Sequence, residues 1–297
     1  MPALRQRSKL KILLIGGDGQ LGADLKTALA THEIQAPSHS ALDITVEADV
    51  LSHIETIAPD WVVNTSAFHD VPKCETEPEN AFAVNSTGPR NLARACRKVG
   101  ARLLHISTDY VFDGALGRPY VETDAPAPLM TYGASKLAGE HLALSECENT
   151  IIVRTTGLFG KNPCRAKPGG RNFVELMLHL GTEKGEVTVV TDQQCCPTYT
   201  PDLAEQIATM IEAAADPGVY HGVTPAGVSW FAYANLIFET TGLDIPVHAT
   251  TSDRFPTPFR RPVDSRLACA RLVKSGLMRM RPLEEALKAY LSERVKG

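Results

Sequence analysis

The sequence predicts an α/β chain built on a doubly wound parallel sheet, followed by a smaller discontinuous lobe. Three observations carry this expectation. Short apolar runs alternate with helical patterns over the first half, a glycine-rich turn joins the first run to the first helix, and the regularity fails after about Arg154. Strands and helices alternating at this spacing imply a parallel sheet covered on both faces.

Each element has its own signal. Residues 9–15 are a short apolar run, and 16–22 lead into Leu21, Leu25 and Leu29 at helical spacing, which reads as strand, tight turn and helix. A second short strand is expected at 34–36, a helix over 50–57 and a buried strand at 61–64. A long helix over 81–99 should turn Leu92 and Ala95 to the core, with a strand at 102–107, a helix at 132–145 and a strand at 151–154 after it. Ligands of such sheets bind beyond the carboxyl ends of the strands. Residues 155–172, rich in Gly, Pro, Lys and Arg, read as a loop that wraps a ligand. Beyond it come a short amphipathic helix at 173–180, a strand at 187–190, a helix over 202–214 and a proline-broken basic segment at 255–262. A dinucleotide-binding domain is therefore expected at 1–154, completed by about 187–214 and 262–297. The smaller substrate-binding lobe is expected at 155–186 and 215–261.

Composition narrows the classes. At 297 residues and 43% hydrophobic, the chain can bury a large core. A net charge of -4 offers no general attraction to nucleic acid or to an anionic membrane. No apolar run approaches the roughly 20 residues that span a bilayer. The first nine residues are basic, but the apolar stretch at 10–15 runs straight into glycines and reads as a strand rather than a signal peptide, so the expected compartment is cytoplasmic. Seven cysteines without a C-x-x-C argue against a disulfide framework or zinc site, and Cys164, Cys195 and Cys196 read as reduced thiols.

The chemistry begins in the turn Gly16-Gly17-Asp18-Gly19-Gln20-Leu21-Gly22, with Gly16, Gly19 and Gly22 at intervals of three. Glycine lets the backbone bend sharply and approach a pyrophosphate, and the helix N-terminus beyond it favours the anion. This is a variant of the Rossmann-type dinucleotide turn. After the second strand come Pro37, Ser38, His39 and Ser40. With no carboxylate there to select a free ribose hydroxyl, NADPH is favoured over NADH, while Asp43 could border the adenine. Further on, Tyr132 and Lys136 stand four residues apart, which puts both on one helix face. A cation beside the phenol should lower its pKa from about 10, and a tyrosine so tuned can protonate a ketone oxygen as hydride reaches the carbon. His105 and His221 read as structural, and Trp230 and Tyr233 as packing a helix start.

These residues carry a resemblance. The GGDGQLG turn, Leu42-Asp43-Ile44-Thr45, Pro59 to Asn64, Val84-Asn85, Ser107 to Gly114 and Tyr132 to Glu140 resemble the extended short-chain dehydrogenase/reductase superfamily. Asn172-Phe173, Asp192-Gln193, Pro197-Thr198 and the run Pro256 to Leu267 narrow the likeness to its dTDP-4-dehydrorhamnose reductase family. The resemblance implies that Tyr132 donates the proton, Lys136 holds the nicotinamide ribose and Thr108 bonds the substrate oxygen. It implies cofactor contacts from Gly16, Asp18, Gly19, Gln20, Leu21, Gly22, Asp43, Ile44, Ser66 and Ala67. Thr108, Asp109, Val111, Arg171, Asn172 and Arg261 would meet a nucleotide-sugar substrate, with Arg260, Lys161 and Arg165 as further cations.

Related dehydratases follow the corresponding threonine with an Asp-Glu pair, because eliminating water needs an extra acid and base. Here Thr108 is followed by Asp109-Tyr110, which suits simple reduction. The implied reaction is NADPH-dependent reduction of the C4 ketone of dTDP-4-dehydro-L-rhamnose, with NADH possible. The alternatives are another nucleotide-linked 4-keto sugar, or a non-catalytic NADP-binding subunit resembling that of methionine adenosyltransferase. Members of the family sometimes bind magnesium at a dimer contact; Asp192 and Asp18 are too thin a match to assign Mg2+, and a homodimer is possible. The chain departs from the family pattern at Phe68-His69 and at Gln194-Cys195-Cys196.

Overall fold

A computed structural model describes residues 9–164 and 168–295; Arg165 and residues 1–8 lie outside them. Its frame is a six-stranded sheet. Strands β1 (Lys11–Ile15), β2 (Glu33–Gln35), β3 (Trp61–Asn64), β4 (Arg102–Thr108) and β5 (Thr150–Thr155) are joined by Gly218–His221 at one edge. The order is Gly218–His221, β5, β4, β3, β1, β2, with every pair parallel. Because β2 and β3 lie on opposite sides of β1, the connections diverge there and open a crevice at its carboxyl end.

Side chains alternate across this sheet with the period of two that strands impose. Ile12, Leu14, Trp61, Val63, Ile151 and Val153 enter one apolar cluster, and Leu13, Ile15, Val62, Leu103 and Ile152 enter another. Both faces are covered, which is why these strands read as unbroken apolar runs. The helices are, in chain order, α1 (Gln20–Ala28), α2 (Glu47–Ile57), α3 (Val71–Thr76), α4 (Pro78–Phe82), α5 (Gly88–Val99), α6 (Thr131–Glu146), α7 (Phe173–Lys184), α8 (Thr200–Glu212), α9 (Trp230–Thr241), α10 (Ala270–Lys274) and α11 (Leu283–Val295). α1 packs with α8 on one face, and α2, α5 and α6 pack in series on the other.

The helix expected over 81–99 is interrupted: α4 and α5 are separated by a π turn at Ala83–Thr87. Proline explains the position. Pro89 has no N–H to offer the carbonyl four residues earlier, that of Asn85. The freed carbonyl instead abuts α6 so closely that a Cβ at Gly139 would lie 2.0 Å from it. The turn also aims the Asn85 amide at the Phe68 backbone, accepting from its N–H at 2.9 Å and donating to its carbonyl at 2.9 Å.

A third apolar cluster lies outside the sheet and joins Phe159, Val174, Met177, Tyr199, Tyr233, Ile237, Phe238, Leu287 and Tyr290. Val187–Val190 pairs in parallel with Val247–Thr250 beside it. The division differs from the expected one in both directions. Gly218–His221, expected in the smaller lobe, extends the large sheet along β5, whose residues are all buried. Val187–Val190 and α11, expected to complete the large domain, put Val187, Val189, Leu283, Ala286 and Leu287 into the third cluster. Among the described residues no helix is long and apolar enough to cross a membrane.

Candidate active site

The first site element is the turn after β1. Gly16 has a φ of +79°, and a Cβ there would meet Thr65 Oγ1 at 2.6 Å and Ser66 N at 2.9 Å. A Cβ at Gly22 would lie 2.2 Å from the Gly16 carbonyl oxygen, so α1 can start against the turn only with glycine at that position. Gly19 is the N-cap of α1 and supplies no side-chain cap, which leaves the helix's first N–H groups unspent by a cap. Space over Gly19 is open except for the Gly16 carbonyl at 3.3 Å. Beside it, Gln20 is buried with its amide nitrogen unpartnered. An open, donor-rich cradle with an orphaned amide fits an anionic dinucleotide.

The other residues of the nucleotide side are more varied. Leu21 is a core side chain, so only its backbone faces the turn. Asp18 is exposed and pairs with Lys26 at 3.1 Å. A Cβ at Gly17 would lie 2.8 Å from that lysine's Cε and 2.9 Å from the Ala36 Cβ, just past β2. Asp43 accepts from the Thr45 N–H at 2.9 Å and its hydroxyl at 2.8 Å, which holds its carboxyl below the usual range. Ile44 is buried against Gly88, where a Cβ would be 2.4 Å from its Cδ1. Ser66 donates from N and Oγ to Asn64 Oδ1. The Ala67 carbonyl lies 3.1 Å from Nδ1 of the exposed His69.

The second element is the end of β4. Thr108 accepts from the Tyr110 N–H at 3.2 Å and donates to Asp109 Oδ1 at 3.1 Å. It also lies near enough to Tyr132 to draw the phenol's pKa down. α6 approaches this turn through Gly133, where a Cβ would stand 2.1 Å from the Tyr110 carbonyl oxygen. The glycine after Tyr132 is therefore a close-approach residue, and Tyr110 then meets Tyr132 edge-on at 6.2 Å. Burial raises Asp109 to about 6, against the pull of the Ser265, Thr156 and Thr108 hydroxyls.

Lys136, one turn beyond Tyr132, is 1% exposed. Its Nζ donates to the Ile106 carbonyl at 2.6 Å and lies 3.1 Å from His105 Nε2. Burial pushes it down to about 7, with Glu140 acting in the opposite direction. Glu140 is itself held by Arg154 and Ser107. The expectation that Lys136 lowers the phenol's pKa is corrected here. Burial drives Tyr132 upward, and only the nearby Thr108 hydroxyl pulls it down. The lysine spends its contacts on β4 instead.

The substrate-side expectations divide. The charge of Arg261 reaches Tyr110, and its guanidinium lies 5.3 Å from the Phe259 ring centre. Backbone bonds from Tyr120 to Arg266 and Ala268, and from Gln194 to Val263 and Ser265, dock the tail that carries it against this site. Arg171 lines a surface groove with Glu175, His179, Lys288 and Arg294 rather than joining Tyr132. Asn172 accepts from the Glu175 N–H and donates to the Gly160 carbonyl and the Tyr290 hydroxyl, each at 3.1 Å, so its polar atoms cap α7 and tie it to α11. The Val111 side chain is core, and its carbonyl accepts from Ala127. Lys161 and Arg260 are exposed. Asn64, His105, Thr156 and Ser265 are absent from the expected site; Asn64 and Ser265 stand in matching runs, but no motif marks the other two.

None of the seven cysteines is in a disulfide, and burial pushes Cys196 up to about 11 and Cys195 well above its ordinary value. Asp192 accepts from the Ser252 N–H and hydroxyl. Among the described residues no group of three His, Cys, Asp or Glu side chains is arranged to hold a metal.

Comparison with known proteins adds four findings. A family model described as the RmlD substrate binding domain matches residues 10–295. A dTDP-4-dehydrorhamnose reductase of Streptomyces griseus is 41% identical over 283 residues, 93% of this chain and 91% of its own. The spore coat polysaccharide biosynthesis protein SpsK of Bacillus subtilis is 37% identical, covering 96% of this chain and 98% of its own. Among solved structures, dTDP-4-dehydrorhamnose reductase of Bacillus anthracis in complex with NADP superposes with a TM-score of 0.89 at 35% identity, covering 96% of this chain and 99% of that one.

Proposed function

The chain belongs to the RmlD substrate binding domain family, and on that premise we propose that it reduces the C4 ketone of dTDP-4-dehydro-L-rhamnose to dTDP-L-rhamnose with NADPH. The observation that carries this reading is the convergence of Tyr132 and Thr108 at the carboxyl end of β4, near enough that the hydroxyl draws the phenol's pKa down. A phenol and a hydroxyl that converge in this way can both bond a ketone oxygen. Bound NADPH supplies the hydride to the carbonyl carbon. Tyr132 then gives its proton to the oxygen that gains charge, and Thr108 holds that oxygen in place. A phenol raised by burial keeps its proton at neutral pH, as a proton donor must. Asp109 is followed by Tyr110, so the acid–base pair needed to eliminate water is incomplete.

For the cofactor, Gly16, Gly19 and Gly22 would give the pyrophosphate its close approach, with the first N–H groups of α1 and the Gln20 amide as donors. Ser66 and Ala67 would border it from the end of β3. Lys26 near β2, with no carboxylate among residues 37–40, suits a 2′-phosphate. Arg261 is the cation for the substrate diphosphate. The lobe packed around the third apolar cluster, with α7, α9 and α11, would cover the sugar nucleotide.

A label transfer tests the reaction. NADPH deuterated at its reacting carbon should leave deuterium at C4 of the sugar product. Deuterium elsewhere, or none in the sugar, would sink the assignment.

A further inference from the structure

The contacts of Lys136 contain a proton conflict. Asn64 Oδ1 meets the Ser66 backbone N at 3.0 Å. A backbone N–H only donates, so that Asn64 atom is the oxygen and its amide nitrogen is the one 3.0 Å from His105 Nδ1. The amide donates, so Nδ1 must present its lone pair, and a neutral ring then carries its hydrogen on Nε2. That N–H faces Lys136 Nζ at 3.1 Å. An ammonium has no lone pair, and two donors would oppose each other across a buried contact. An amine resolves it. The chain then runs one way, Ser66 to Asn64, Asn64 to His105, His105 to Lys136, and Lys136 to the Ile106 carbonyl.

We propose that Asn64 and His105 are positioning residues that hold Lys136 as an unprotonated amine docked against β4, and that gaining a proton undocks it. The step is simple: a solvent proton takes the Nζ lone pair, and the His105 N–H···Nζ bond is lost. The strand register supports it, since Asn64 and His105 are paired on adjacent strands and both are 0% exposed. Other charged or titratable groups around Nζ do not supply a stronger acceptor. Glu140 is taken up by Arg154 and Ser107, Tyr132 faces Thr108, and the exposed His69 lies in the loop after β3. Burial acts on Lys136 in the same direction and pushes His105 well below its ordinary range, keeping the ring neutral.

This inference rests on the reductase reading for its importance, but its test needs no sugar. Protein labelled with 15N-histidine and 13Cε-lysine, with no nucleotide added, is titrated by NMR, the Lys136 signal being assigned with Lys136→Arg. His105 should show hydrogen on Nε2 with Nδ1 bare, and Lys136 should titrate near 7. In His105→Gln the amide can turn its carbonyl to an ammonium, so the Lys136 midpoint should rise by at least about one unit, tenfold in proton affinity. Hydrogen on Nδ1, a Lys136 midpoint near the ordinary lysine value, or an unchanged midpoint in His105→Gln would each overturn the proposal. If that variant does not fold, the tautomer and midpoint in the unaltered protein decide it.

Discussion

Replacing Asp109 with asparagine should stabilise the protein, and do so mainly above about pH 6. Asp109 is 3% exposed, and burial raises its carboxyl from 3.8 to about 6. The folded state therefore binds this proton more tightly than the unfolded chain does. A raised carboxyl pKa favours folding fully below 3.8, and that contribution is lost as pH rises through about 6. From 3.8 to about 6 is about two units. At about 1.36 kcal/mol per unit, the ionised carboxylate costs about 3 kcal/mol once both states are fully ionised. The amide has the shape of the protonated acid, can accept from the Thr108 hydroxyl and never ionises. Urea unfolding of Asp109→Asn against the unaltered protein should give a gain of about 3 kcal/mol at pH 8 and about half that at pH 5. An equal gain at both pH values, or a loss at pH 8, would refute the reasoning.

Three further outcomes follow from the packing. Gly22→Ala sets a Cβ 2.2 Å from the Gly16 carbonyl, backbone against side chain with no soft partner; thermal unfolding should show about 1–3 kcal/mol lost, and calorimetry should show weaker NADPH binding. Arg154→Met leaves Glu140, whose side chain is 2% exposed, without its cation, at a cost of about 3–5 kcal/mol in urea, and adding Glu140→Leu should recover most of it. Asn172→Ala removes the α7 cap and the bond to Tyr290, so unfolding should lose about 1–2 kcal/mol while KM for the sugar nucleotide stays within about twofold; a large KM change at full stability would restore this residue to the substrate site.

The large sheet was legible because strands buried on both faces must be apolar throughout, and Gly16, Gly19 and Gly22 announce a turn in which Gly16 and Gly22 are sterically obligatory. Tyr132 and Lys136 were legible through helical spacing, and Thr108 through the motif that carries it. What stayed hidden depends on contacts distant in sequence. Residues 41 apart bring Asn64 to His105, and residues 31 apart bring His105 to Lys136, so a histidine read as structural proves to face the lysine. Spacing gave the Tyr132–Lys136 helix face but not the direction of the ammonium, which the Ile106 carbonyl decides. Val111 and Asn172 stand in motif-bearing runs, yet their side chains fill the core and cap a helix, because a matching run says nothing about which way each side chain points. Lobe boundaries were hidden for a similar reason. The short strand Gly218–His221 joins its sheet only by pairing with β5, far back along the chain.

The most direct test of the central claim is NADPH oxidation by the purified protein supplied with dTDP-4-dehydro-L-rhamnose, beside Tyr132→Phe. The account predicts sugar-dependent turnover that falls by about 10²–10⁴-fold in the variant, with NADPH binding kept. Equal turnover in the two proteins, or none in a folded protein that binds NADPH, would contradict it.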